Sequence, residues 1–88
     1  MGKTPISNTI RVLRAEYGDI SQGDLAARMD MTRQTVAAIE KGKYAPSLEA
    51  AFRIAAVFGV PFDHVFQYEP GADAAFLKLR RNAVKKDG

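Results

Sequence analysis

The chain has 88 residues, 47% of them hydrophobic, with 13 Lys+Arg against 10 Asp+Glu and a net charge of +3. That length allows one small domain with one modest core and excludes folds the size of a TIM barrel or a dinucleotide-binding sheet. With no Cys and no apolar run near the ~20 residues of a membrane span, disulfide scaffolds, thiolate metal sites and spanning helices are excluded; Met1 to Ser7 does not read as a secretory signal, and a cytoplasmic protein is expected.

Strand signals are weak, because no apolar/polar alternation is sustained and no tight-turn pair joins two such runs. Helix signals recur along the chain. Ser7 is placed to cap a first helix that buries Ile10, Leu13 and Val12 and ends before Gly18. Ser21 opens a second; Asp24, three residues on, gives a carboxylate variant of the capping box, and Leu25, Ala26 and Met29 form its apolar face. Thr32 opens a third, closed by Gly42 just past its end. Ser47, after Pro46, opens a fourth that runs to Gly59. Pro61 starts a short fifth with Phe62, Val65 and Phe66 apolar, and Pro70-Gly71 breaks the chain. A sixth segment with helical potential follows from Asp73, carrying Phe76, Leu77 and Leu79 ahead of a basic end. The expectation is an all-α bundle of five short helices over residues 1–70 and a basic C-terminal extension over residues 71–88.

Charge follows the same division. Basic and acidic side chains balance over residues 1–70, so the whole excess lies in the extension, where Lys78, Arg80, Arg81, Lys85 and Lys86 face only Asp73 and Asp87. Net charge is therefore a weak argument for nucleic acid, and the placement of charge has to decide. The third helix is informative in this respect. At 100° per residue Val36 and Ile39 point one way, while Arg33, Gln34, Ala37, Ala38 and Lys41 span the opposite side. Arg can read guanine, Gln can read adenine, and Ala can touch a thymine methyl in a major groove. A solvated face of good helix formers would carry the same residues, so this helix alone leaves both readings open.

Its neighbours favour the first reading. The second and third helices are separated only by Asp30 to Thr32, and Ala26 stands where they must cross closely. The stretch from Ser21 to Glu69, SQGDLAARMDMTRQTVAAIEKGKYAPSLEAAFRIAAVFGVPFDHVFQYE, resembles the helix-turn-helix family of phage-repressor and Cro type, also called the Xre family. Gln22, Ala26, Val36 and Ile39 stand at family spacings, as do TRQT, the IEKGKY turn and the PS cap. The VFQYE ending is similar to the compact, stand-alone regulators of that family. With the first helix included, the resemblance covers residues 7–69.

The resemblance implies a five-helix, lambda-repressor-like fold with the third helix in the major groove and the second across the backbone. By the same resemblance, Arg33, Gln34 and Ala38 match base-facing positions, with Ala37 beside them. Gln22, Thr32, Lys41 and Lys43 match backbone-contacting positions, and Thr35 serves either the backbone or the cap. Arg14 and Glu40 match an ion pair that links the first helix to the third and fixes the angle of the recognition helix. Two departures stand out. Asp30 replaces the usual turn glycine at a position that tends to be left-handed, which Asp tolerates better than most residues. Ala38 replaces a longer polar side chain of some members, which shifts direct readout to Arg33 and Gln34 and leaves the rest to DNA shape.

From Leu48 to Phe58 only Glu49 and Arg53 are polar, so the fourth helix should be covered on more than one side. Either the Phe76-Leu77-x-Leu79 segment or a second copy would cover it. A homodimer on an inverted-repeat operator is expected, through the start of the fourth helix, the fifth helix and a contribution from the tail. Tyr44 is expected over the exit of the third helix. His64 is the only histidine, which argues for a surface role and against a catalytic or metal one. The spacing of Asp19, Asp24 and Asp30 does not follow a calcium-binding loop, and capping and turn roles explain at least two of them. No nucleophile–base pair or metal set can be assembled, so neither enzymatic activity nor a cofactor is expected. The leading reading is a small sequence-specific regulator of duplex DNA, a repressor. The alternative is an antitoxin-like module whose extension grips a protein partner and whose DNA binding is secondary.

Overall fold

Side-chain caps and left-handed stops divide residues 4–79, the part of the chain that the computed structural model describes, into short helices. The order is β1 (Ile6–Asn8), α1 (Ile10–Glu16), α2 (Gln22–Met29), α3 (Arg33–Glu40), α4 (Leu48–Phe58), α5 (Phe62–Val65), β2 (Phe66–Tyr68) and a 3-10 turn at Pro70–Ala72. Residues 74–79 are again helical. The described residues thus form the expected helical bundle, with one small sheet added to it.

The three middle helices start as their sequences dictate. At α2, Ser21 Oγ accepts from the Asp24 amide at 3.0 Å and Asp24 Oδ2 accepts from the Ser21 amide at 3.1 Å, a complete capping box. Thr32 Oγ1 accepts from the Thr35 amide and Ser47 Oγ from the Ala50 amide, each at 3.1 Å. Each cap is worth about 1 kcal/mol. The same helices end on left-handed residues, Asp30 at φ 55°, Gly42 at φ 75° and Gly59 at φ 67°. At each stop the left-handed residue and its successor both donate amides back into the last turn, as Gly42 does to Ile39 and Lys43 to Ala38.

One core joins α1 to α5. Ile10, Leu25, Ala26, Val36, Ile39, Ala51, Ile54, Ala55, Phe58, Val65 and Phe66 are buried together. Ala26 of α2 and Val36 of α3 both belong to this core, and the two helices pack against one another. Complete burial of a side chain such as Leu25 or Ile54 contributes about 1.5–3 kcal/mol. Tyr17, at the end of α1, meets the buried Phe58 edge-on, with ring centroids 5.6 Å apart.

The two strands are the main departure from the expected architecture. β1 and β2 pair antiparallel, Ile6 with Tyr68, Ser7 with Gln67 and Asn8 with Phe66. The ladder continues through Glu69 N–H to the Pro5 carbonyl at 2.7 Å and Thr9 N–H to the Val65 carbonyl at 2.9 Å. Phe66 therefore belongs to a strand and not to the fifth helix, although it is buried as an apolar residue should be.

The pairing also displaces the first cap. Ser7 does not cap α1; extended backbone carries it past, and its hydroxyl donates to Glu69 Oε2 at 2.7 Å. The N-cap position falls on Thr9, whose side chain makes no capping bond and donates instead to the His64 carbonyl. Asn8 Oδ1 accepts from the Ile10 amide at 3.1 Å and takes over the satisfaction of α1's first turn. Val12 is 55% exposed, contrary to its expected burial, because Ile10 and Leu13 fill the inward side of a seven-residue helix.

Candidate nucleic-acid interface

The α2–α3 unit turns through only Asp30, Met31 and Thr32. Asp30 adopts the left-handed conformation that the sequence assigns to it, with φ 55° and ψ 46°. This tight reversal brings the starts of α2 and α3 near one another. A methyl group built on Gly23 would stand 3.9 Å from Arg33 Cδ, so the stem of Arg33 runs across the first turn of α2.

Burial divides α3 as its periodicity implies. Val36 and Ile39 are 2% exposed and anchor the helix in the core. Arg33 and Gln34 are exposed at its first turn, and Ala37 and Ala38 are half-buried behind them. Thr32 and Thr35 sit together at the N-terminus, their hydroxyls 3.0 Å apart. Lys41 and Lys43 are both exposed on either side of Gly42 at the far end. Among the described residues Arg33, Lys41 and Lys43 make no ion pair, so their charges are available to a ligand. Tyr44 follows them and is exposed.

Behind this face lies a polar network that fixes α3 to its neighbours. Arg14 of α1 donates from Nε to Glu40 Oε2 at 2.7 Å and from Nη2 to Oε1 at 3.1 Å. Arg14 Nη1 also donates to the Ile20 carbonyl at 3.0 Å. The pair is largely withdrawn from water, with side-chain exposures of 16% and 7%. Glu40 holds the Arg14 guanidinium above the ordinary arginine pKa, first through their hydrogen bond and then through its charge, against the opposing effect of burial. The ion pair implied by the family resemblance is therefore present, and it is bidentate.

The network has a third member. Gln22 Nε2 donates to Glu40 Oε1 at 3.1 Å, which ties the first residue of α2 to the last residue of α3. Asn8 adds a further link that the sequence reading missed. Its Nδ2 donates to the Ile39 carbonyl at 2.8 Å, so one side chain serves both the start of α1 and the end of α3. The residue type gave a signal, since Asn commonly bonds nearby backbone, but its partner lies 31 residues away.

Arg11, Arg14, Gln22, Glu40 and Lys41 line one surface concavity of about 320 Å³. The expected backbone-contacting residues Gln22 and Lys41 thus share one concavity, whose lining does not include Thr32, Thr35 or Lys43. A second concavity of about 300 Å³ lies between β2, α5 and the start of α4, with Ile6, Leu48, Phe62, Phe66 and Tyr68 among its walls. At its rim Leu48 is 70% exposed and Phe52 is 53% exposed, Phe52 stacking on Phe62 at 4.6 Å. The residues Phe76 and Leu79, considered as cover for α4, are themselves exposed. The basic residues Arg80, Arg81, Lys85 and Lys86 lie outside the described part of the chain.

Asp24 and Asp30 occupy the capping and turn positions assigned to them, and Asp19 takes a left-handed turn conformation. Among the described residues no group of His, Cys, Asp or Glu is arranged to hold a metal, and no helix is long and apolar enough to cross a membrane.

Comparison with known proteins agrees with this geometry. A helix-turn-helix family model matches residues 10–65. An uncharacterized HTH-type transcriptional regulator of Methanocaldococcus jannaschii is 47% identical over 64 residues, which cover 73% of this chain and 96% of that protein. The HTH-type regulator YgzD of Bacillus subtilis is 45% identical over 64 residues, with the same coverage of 73% and 96%. The control protein C.MunI of a Mycoplasma species is 34% identical over 64 residues, covering 73% of this chain and 86% of its own. In three dimensions, a crystal structure from Bacteroides fragilis aligns with a TM-score of 0.64 at 24% identity, over 70% of this chain and 98% of that one, and shares the fold.

Proposed function

The chain belongs to the helix-turn-helix family of DNA-binding transcriptional regulators, which are not enzymes, and from that premise we propose that it is a sequence-specific repressor. It binds duplex DNA as a homodimer, with α3 in the major groove and α2 across the backbone. The observation that carries this reading is the division of α3, in which exposed Arg33 and Gln34 project from a helix whose opposite side is sealed in the core.

Each residue then has a role. Arg33 and Gln34 read base edges, and Ala37 and Ala38 allow close approach and contact with thymine methyls. Gln22, Thr32, Thr35, Lys41 and Lys43 hold the phosphate backbone and set the register. Arg14 and Glu40 do not touch DNA; they fix the angle at which α3 is presented. The second copy covers the apolar rim of Leu48 and Phe52 beside the groove under Tyr68. Residues 1–70 form the DNA-binding domain, and residues 71–88 a basic extension. The exposed Phe76 and Leu79 favour one other reading, in which the extension grips a protein partner and DNA binding is secondary.

The test compares two variants by fluorescence anisotropy on an operator duplex and a random one. Arg33→Ala should cost about 1–3 kcal/mol on the operator and little on random DNA, whereas Lys43→Ala should weaken both alike. Equal losses on both duplexes for both variants would refute the division of roles.

A further inference from the structure

We propose that Arg11 of α1 completes a phosphodiester-binding cradle with Gln22 of α2 and Lys41 at the end of α3, a cradle whose geometry Glu40 sets. This rests on the DNA-binding reading and extends it to a helix that the recognition motif does not include. Three separate elements supply the walls of the concavity, which holds about 320 Å³. Its lining carries three cations and one carboxylate. Both oxygens of the carboxylate are engaged, since Glu40 accepts two bonds from Arg14 and one from Gln22. Arg14 is engaged with it and with the Ile20 carbonyl. That inner pair is neutral as a unit.

What remains to face a ligand is Arg11 and Lys41, both exposed and neither in an ion pair among the described residues. Two like charges across one small concavity repel each other, and an anion between them removes that repulsion. Gln22 adds direction. A carboxamide nitrogen has two hydrogens, and Glu40 engages only one of them. The Glu40 bond therefore fixes the carboxamide and leaves the second N–H to donate. Two cations and one held N–H donor suit a singly charged phosphate oxygen pair. Arg11 lies one turn before Arg14 on α1, so the anchored Arg14 also fixes where Arg11 emerges. In this assignment Glu40 is a positioning residue and Arg11 a direct ligand.

The experiment measures affinity of the full chain for operator and random duplexes across a salt series. Each phosphate contact contributes about 0.9 to the slope of log K against log[salt]. Arg11→Gln should reduce that slope by about 0.9 and weaken both duplexes by the same factor. Arg28→Gln, which removes an equal charge from a different concavity beside α4, should leave the slope unchanged. Urea midpoints of both variants should match that of the unaltered chain, because both side chains are exposed. A slope for Arg11→Gln equal to that of Arg28→Gln would overturn the proposal while leaving the DNA-binding reading intact. Failure of the unaltered chain to bind either duplex would overturn both. Inorganic phosphate distinguishes the source of the anion. Saturable shifts of the Gln22 carboxamide resonances with phosphate, together with an unchanged DNA slope in Arg11→Gln, would assign the cradle to free phosphate and overturn the duplex assignment.

Discussion

Glu40 joins three helices through one carboxylate. Its two oxygens hold Arg14 from α1 and Gln22 from α2, while its backbone ends α3. Removing one partner of a withdrawn pair leaves the other charge without compensation, which costs about 3–5 kcal/mol, whereas an apolar double replacement is often close to neutral. Arg14→Ala should therefore lower stability by about that amount, and Arg14→Met with Glu40→Leu by much less, as urea denaturation would report. A loss of under about 1 kcal/mol in Arg14→Ala would mean that the pair behaves as an exposed one. The sign of the pH dependence follows from the raised Arg14 pKa. Its contribution is complete below the ordinary arginine value and is lost only above it, so the guanidinium gives no pH dependence near neutrality. The pair itself was legible in the sequence only through family resemblance. Gln22 as its third member was not legible, because a glutamine 18 residues from Glu40 carries no signal of whom it will meet.

At the level of elements, what the sequence revealed depended on how local the cause was. The capping box at Ser21, the caps at Thr32 and Ser47, and the stops at Gly42 and Gly59 act within one helical turn, and each was read correctly. The left-handed Asp30 was also legible, since its side chain suits a conformation that most residues avoid. The strands were not legible. Three residues are too few to display alternation, and their partners lie about sixty positions apart. The misplaced cap at Ser7 follows from the same cause, since the distant ladder and not the local pattern decides where α1 begins. Gly42 offers a direct test at this scale. Nothing lies within 4 Å of a Cβ built there, so crowding is not at issue, but its φ of 75° is left-handed. Gly42→Ala should cost about 1–2 kcal/mol through backbone conformation alone. A neutral substitution would mean that the exit of α3 relaxes without difficulty, and Lys41 and Lys43 would then not be held in register.

The whole molecule places two different surfaces on one small scaffold. The first is polar and carries the exposed Arg33 and Gln34 of α3, the lysines at its exit and the concavity that Arg11, Gln22 and Lys41 line. The second joins α4, α5 and the strand pair, and it is apolar. The strands link them, because Asn8 and Thr4 of the N-terminal segment bond the Ile39 and Gly42 carbonyls at the end of α3 while β2 borders the apolar groove. Net charge gave little warning of this division, since basic and acidic side chains balance over the body of the chain. The near-continuous apolar character of α4 did indicate a face in need of cover, and exposed Leu48 and Phe52 locate it. A two-fold dimer through that face would present two copies of α3 to successive major grooves about 34–36 Å apart. Selection from a random duplex library with the full chain, at near-physiological salt, tests this arrangement most directly. Enrichment of an inverted repeat with half-sites one helical turn apart is the predicted result. Recovery of unenriched sequences, bound weakly and lost as salt rises, would contradict sequence reading by α3.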